Sequence, residues 1–147
     1  MATPSLTDRM EIYDLFVRYT TALDGCETEK VVACFTQDCS LESPVLGKFH
    51  GHAGIRDFAN KTLRQKEEYG AQFRHVISNL AVDVEGERAR ATCYLLDFVT
   101  VAGNTQLLSP GRYDCELART DGKWLFTRRV VLMDRIFALP AASPTPG

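Results

Sequence analysis

The stretch "ARATCYLLDFVTV", residues 89–101, decides the fold because apolar and polar side chains alternate along it. Successive side chains of a pleated strand point to opposite faces. Ala89, Ala91, Cys93, Leu95 and Val99 therefore share one face, and Arg88, Arg90, Thr92 and Tyr94 the other. This is the pattern of an antiparallel strand with one face on a core and one in water. Asp97 falls on the apolar face, where an unpaired carboxylate is costly.

Outward from this strand, "VEGE" (84–87), "AGNT" (102–105) and "TDGK" (120–123) mark turns, the last with the D-G dipeptide of a tight hairpin. They predict four strands, over 73–84, 88–101, 107–120 and 124–139. The first part of the chain reads differently. Ile12, Leu15, Phe16, Tyr19, Ala22 and Leu23 follow a 3.6-residue period, capped by Ser5 or Thr7 and stopped by Gly25. "ETEKVVACF" (27–35) predicts a short second helix. "HAGIRDFANKTLRQKEE" (52–68) predicts a third, with Ile55, Phe58, Ala59 and Leu63 on its apolar side. Between them, "CSLESPVLGKFHG" (39–51) reads as a hairpin interrupted by Pro44 and Gly47. Helices followed by strands give an α+β fold, with three helices packed on one face of an antiparallel sheet.

The 147 residues fit one domain, with a core over about 8–135 and a Pro/Ser-rich tail, 140–147, expected to fray. A net charge of −2, with dispersed Lys and Arg, lacks the footprint of a nucleic-acid binder. The N-terminus has no basic segment followed by an apolar run, and no stretch approaches the ~20 apolar residues that span a bilayer. No membrane association is expected, and the location expected is cytoplasmic. Cys26, Cys34, Cys39, Cys93 and Cys115 are odd in number and form no C-x-x-C pair, so they read as small buried hydrophobes. "HGH" at 50–52 lacks the further ligands of a zinc set, and neither a phosphate-cradling loop nor a dinucleotide fingerprint occurs. No metal and no cofactor are expected.

The strand before Asp97 carries Phe73, His75, Ile77 and Asn79 on one face. A three-residue turn at 85–87 pairs His75 with Asp97, but it sets Val82 and Val84 across from Arg90 and Arg88. One extra residue near Leu80 or Ala81, a β-bulge, puts both sets on the inner face, and bulges concentrate beside active sites. A second anomaly is Asp24, an acid in the last turn of the first helix, where it opposes the helix dipole by about 0.3–1 kcal/mol. Imidazole takes and gives protons near neutral pH when a carboxylate fixes its tautomer. Asp24, His75 and Asp97 supply such a set, and Tyr19, five residues before Asp24, could donate to a substrate oxygen. Each has a structural alternative: a core histidine at 75, a cap for the segment after Asp24, an Asp97–Arg pair, a core tyrosine at 19.

"Y-x4-D" at the helix end, "G-x3-I-x2-F" from Gly51, with Gly54 inside it, "R-H-x3-N" at 74–79, and "G-R-Y" followed by "D-G-x-W-x-F-x2-R" together resemble the SnoaL-like branch of the nuclear transport factor 2-like superfamily. The resemblance implies a cone of bent antiparallel sheet closed by three helices around a deep pocket. Its nearest patterns are scytalone dehydratase and bile acid 7-dehydratase. These imply a cofactor-independent lyase or isomerase acting by His–Asp acid-base catalysis on a small cyclic or polycyclic hydroxy-carbonyl compound. Asp24 and His75 match the helix-end acid and the strand histidine, Tyr19 and Asp97 match the tyrosine and second acid of the bile acid enzyme, and Arg129 matches its late arginine. A second strand histidine of scytalone dehydratase is absent here. A tight D-G turn, moreover, aims Arg128 rather than Arg129 inward and sets Arg129 across from Asp114. The resemblance also implies association as dimers or trimers through the outer sheet face. The alternative is a non-catalytic binding or structural module, since the β subunit of ring-hydroxylating dioxygenases has a C-terminal segment similar to that at 124–134, which reads "WLFTRRVVLMD" here.

Overall fold

The computed structural model describes residues 3–140. Helix α1 spans Leu6–Asp24, α2 Thr28–Val32 and α3 Gly51–Tyr69; strands β1 to β6 span Phe35–Ser43, Gly47–His50, Gln72–Glu85, Arg88–Val101, Asn104–Thr120 and Lys123–Met133. The strands form one open, curved sheet in the order β2-β1-β6-β5-β4-β3, antiparallel except where β1 runs parallel to β6. Helix α1 packs on β3 and β6, and α3 on β1 and β2. The inward faces of α1 and the sheet supply a core around Phe16, Tyr19, Phe35, Phe126 and Trp124. No helix among the described residues is long and apolar enough to cross a membrane.

Helix α1 starts where Ser5 accepts a hydrogen bond from the Asp8 amide. Asp8 Oδ1 also accepts from Trp124 Nε1–H at 3.0 Å and pairs with Arg119, which pins the helix start to the β5–β6 hairpin. At the far end Gly25 is the C-cap but keeps a right-handed conformation, and the left-handed turn falls on Cys26, with φ 55°. Cys26 is half-buried, and the other four thiols are buried as expected. On α3, Thr62 is buried beside Ile55, Phe58 and Ala59, while Leu63 is only half-buried.

The bulge expected near Leu80 is present. Pairing runs Ser78 to Tyr94 and then Ala81 to Thr92, so one extra residue lies between them, with Asn79 at φ 55°. The turn is tighter than expected, since Glu85 pairs with Arg88. The bulge compensates: His75 faces Asp97 across the ladder, Val82 faces Ala91 and Val84 faces Ala89. Asn79 leaves the inner face and is exposed.

A second bulge settles Arg129. Leu117 pairs with Phe126 but Glu116 pairs with Arg128, so Thr127 is the extra residue and the inward parity of β6 switches there. Arg129 therefore points into the core opposite Cys115, not toward Asp114, and Arg128 is exposed. In the same hairpin Gly111 has no room for a side chain, because an added Cβ would overlap the Leu132 carbonyl oxygen.

Three expectations about strand ends need correction. Strand β1 begins at Phe35, where it pairs with Phe126 of β6, a long-range contact that local alternation does not reveal. Strand β5 begins at Asn104, three residues earlier than expected, because a two-residue turn at 102–103 lets Val101 pair with Asn104. Strand β6 stops at Met133 rather than continuing to residue 139. Beyond it the chain folds back over β5: the Asp134 amide donates to the Pro110 carbonyl, the Phe137 amide to the Leu108 carbonyl, and Gln106 Nε2 to the Ala138 carbonyl. Apart from Pro140, the tail expected to fray lies outside the described residues.

Candidate active site

The inner sheet face and the helices enclose a cavity of about 230 Å³. Leu23, Leu46, Phe58, Phe73, Leu95 and Val131 make most of its wall apolar, and Tyr19, His75, Asp97, Ser109 and Tyr113 bring polar groups to it. A cavity of about 150 Å³ holds benzene. This one is larger, at about 230 Å³.

Asp24 reaches His75 because the end of α1 is held to the start of β3. Gln72 Nε2 donates to the Asp24 carbonyl at 3.2 Å and to the Phe73 carbonyl at 2.9 Å. Both Asp24 carboxylate oxygens then meet His75: Oδ2 accepts from its backbone N–H at 2.9 Å, and Oδ1 lies 2.5 Å from ring Nδ1. This answers the anomaly at the helix end. Asp24 caps nothing in the segment after it, since α2 begins without a side-chain cap. A carboxylate at Nδ1 requires that nitrogen to carry a proton, which leaves Nε2 of the neutral ring with its lone pair. Nε2 faces Asp97 Oδ2 at 3.6 Å, beyond a direct hydrogen bond, and among the described residues no arginine pairs with Asp97.

Burial acts on these groups in opposite ways. For His75 it is the largest single influence and disfavours the imidazolium, but the hydrogen bond to Asp24 and the charges of Asp97 and Asp24 outweigh it, so the pKa is raised. Asp97 is 7% exposed and is pushed up to about 6, chiefly by burial, with His75 opposing and Asp24 adding to the shift. Tyr19 is pushed up to about 12 by burial, against the pull of the Arg129 charge.

The Asp97 shift has a consequence for stability. Its pKa in the fold exceeds the ordinary 3.8, so ionising it weakens the fold as pH rises through about 6. Asp97→Asn removes that charge. It is expected to be about 2 kcal/mol more stable than the wild type near pH 8, an advantage that shrinks below about pH 6 and is gone near pH 4. Urea unfolding at the three pH values checks this, and a variant less stable near pH 8 contradicts it.

Of the residues singled out in the sequence, Tyr19, His75 and Asp97 line the cavity, and Asp24 stands behind His75. Arg129 is fully buried but lies off the cavity wall, 3.8 Å from the Tyr19 ring centre and 4.0 Å from that of Tyr113. Its three guanidinium nitrogens have no hydrogen-bond partner among the described residues, so ring faces supply its main stabilisation. Ser109 and Tyr113 also line the cavity and were missed. Their strand position was visible, but the pairing of Ser109 with Asp97 depends on a bulge that carries no sequence signal of its own. The "HGH" histidines lie elsewhere: His50 is exposed, and His52 Nε2 sits 2.8 Å from the Phe35 carbonyl oxygen.

Comparison with known proteins agrees with this architecture. The SnoaL-like domain family matches residues 4–130. An uncharacterized protein of Mycobacterium tuberculosis is 27% identical over 133 residues, covering 88% of each chain. Among solved structures, a nuclear transport factor 2-like protein with a cystatin-like fold from Novosphingobium aromaticivorans superposes with a TM-score of 0.78 at 27% identity, over 88% of this chain and 84% of that one. A candidate scytalone dehydratase from the same organism gives 0.77 at 21% identity, over 95% and 93%; at that identity the likeness concerns the fold. With the family matching most of its length and the fold shared with nuclear transport factor 2-like structures, the chain belongs to the SnoaL-like family of that superfamily.

Proposed function

We propose that this protein is a cofactor-independent lyase or isomerase that acts on a small cyclic or polycyclic hydroxy-carbonyl compound, with His75 as general base. The observation that carries the reading is the 2.5 Å contact of Asp24 Oδ1 with His75 Nδ1 beside an apolar cavity. In the proposed reaction Nε2 takes the proton α to the carbonyl, and the C–H electron pair moves into an enolate. Tyr19 donates a hydrogen bond to the enolate oxygen, and Arg129, behind its ring, acts as a positioning residue that favours negative charge there. In a dehydration the enolate collapses, the C–O bond to the β-hydroxyl breaks, and the proton on His75 or Asp97 leaves with it as water. In an isomerisation the same proton returns at another carbon. Such assistance contributes on the order of 10²- to 10⁴-fold per proton transfer, enough for a C–H bond activated by a carbonyl.

A purely structural subunit has no use for a carboxylate–imidazole pair with its free nitrogen toward a cavity, which weighs against the binding-module reading. Val76, Tyr94 and Leu96 are exposed on the outer face of β3 and β4, which supports association of copies through that face. The test is exchange of the α-protons of α-tetralone in deuterated buffer near neutral pH, followed by proton NMR. The wild-type protein is expected to accelerate exchange over buffer. Exchange no faster than buffer, for α-tetralone and for a panel of cyclic ketones, would favour the binding module.

A further inference from the structure

Six buried side-chain polar atoms have no hydrogen-bond partner among the described residues: Arg119 Nε, the three Arg129 nitrogens, Asp97 Oδ1 and Ser109 Oγ. Only the last two belong to residues of the cavity wall. They also sit side by side, because Asp97 and Ser109 are directly paired across β4 and β5. Ser109 is 1% exposed. An unpaired buried hydroxyl or carboxylate oxygen is costly, and a buried side-chain oxygen usually finds a partner. The local chain explains why Ser109 does not. The pairing steps from Asp97–Ser109 to Phe98–Leu107, so Leu108 is an extra residue immediately before it, and Pro110, which has no N–H, follows it. Ser109 shares the inward face of β5 with Tyr113 and Cys115, so its hydroxyl is directed to the cavity.

The two atoms differ in what they recognise. An ionised Asp97 oxygen only accepts a hydrogen bond, whereas the Ser109 hydroxyl can donate one. A substrate hydroxyl satisfies both, giving its proton to Asp97 and taking one from Ser109. A carbonyl oxygen satisfies Ser109 alone, and a bare ring carbon satisfies neither. We propose that Asp97 and Ser109 form the seat of the substrate's hydroxyl group, so that Ser109 selects a hydroxylated ring over the same ring without oxygen. This rests on the reading of the cavity as a site for hydroxy-carbonyl rings. It places the departing hydroxyl on the β4–β5 side of the cavity, beside Asp97, through which the proton that His75 takes from carbon can reach it.

The test is binding, measured by isothermal titration calorimetry with two probes of one shape, α-tetralol and tetralin. The wild-type protein is expected to bind α-tetralol at least tenfold more tightly. Ser109→Ala is expected to abolish most of that preference by weakening α-tetralol alone, with the tetralin affinity within twofold of wild type. Ser109→Thr, which retains the hydroxyl, should keep the preference. Tyr113→Phe, which removes another hydroxyl from the same wall, should also keep it. A wild-type protein that does not distinguish the probes, or binds neither at millimolar concentration, overturns the proposal. So does a Ser109→Ala variant that distinguishes them as well as wild type. Binding and turnover separate the two claims: discrimination without proton exchange would sink the lyase or isomerase reading and leave the seat standing, and exchange without discrimination would do the reverse.

Discussion

His75→Ala is expected to eliminate the acceleration of α-proton exchange in α-tetralone, a loss of about 10²- to 10⁴-fold, while the protein remains folded. Among the described residues that line the cavity, the imidazole alone combines a basic ring nitrogen with an orientation fixed by a carboxylate, through the Nδ1 contact with Asp24. Truncation leaves Asp24 and Asp97 facing a void with no cation between them, so some stability is lost as well. His75→Gln separates the two effects, because it retains a polar side chain of comparable length yet cannot act as a base near neutral pH. Circular dichroism and melting temperature should place the Gln variant near wild type, with exchange as low as in the Ala variant. Exchange that falls only in proportion to melting temperature in both variants would make His75 a core residue.

Asp24→Asn is expected to cost nearly as much activity, on the order of 10³-fold, by a different route. An amide turned so that its oxygen still accepts the His75 backbone N–H presents its NH₂ to Nδ1. That inverts the ring: Nδ1 becomes the acceptor and the proton moves to Nε2, the atom that must take the substrate proton. The change also removes the carboxylate that stabilises the imidazolium. Stability should change by no more than about 1 kcal/mol, because a lost charge-assisted hydrogen bond is partly offset by removal of an acid from the negative end of α1. The pH profile gives a further sign. His75 acts as base only when unprotonated, and its pKa is raised with the help of Asp24, so exchange by the wild-type protein should rise with pH through a midpoint above 6.5. In Asp24→Asn the residual activity should rise at lower pH. Full activity with a large loss of stability would make Asp24 a structural residue.

The parts of the site that were legible in the sequence are those whose anomaly is local. Asp97 breaks an alternation, and Asp24 breaks a helix-end charge rule; both departures are visible within a few residues. The bulge at Asn79 was legible because two registers, one for His75 and one for Val82 and Val84, conflict unless a residue is inserted. The remainder depends on contacts between distant segments. Arg129 faces inward only because Thr127 is bulged out, and its neighbours in β6 give no sign of that. The parallel pairing of β1 with β6 joins residues about 90 apart in sequence. Residues 134–139 read as the end of the last strand, but the apolar side chains of Ile136, Phe137 and Leu139 serve the cavity wall instead. The pairing of Ser109 with Asp97 was hidden because a bulge at Leu108 shifts the register set by the turn at 102–103.

The central claim is that Asp24 holds His75 with its proton on Nδ1 and its base, Nε2, toward the cavity. Nitrogen-15 NMR of the ring, with the His75 signals identified by their loss in His75→Gln, tests it without a substrate. The account predicts a neutral ring protonated at Nδ1 and bare at Nε2, titrating above 6.5 in the wild-type protein. A neutral ring carrying its proton on Nε2, or a midpoint below 6.5, would contradict it.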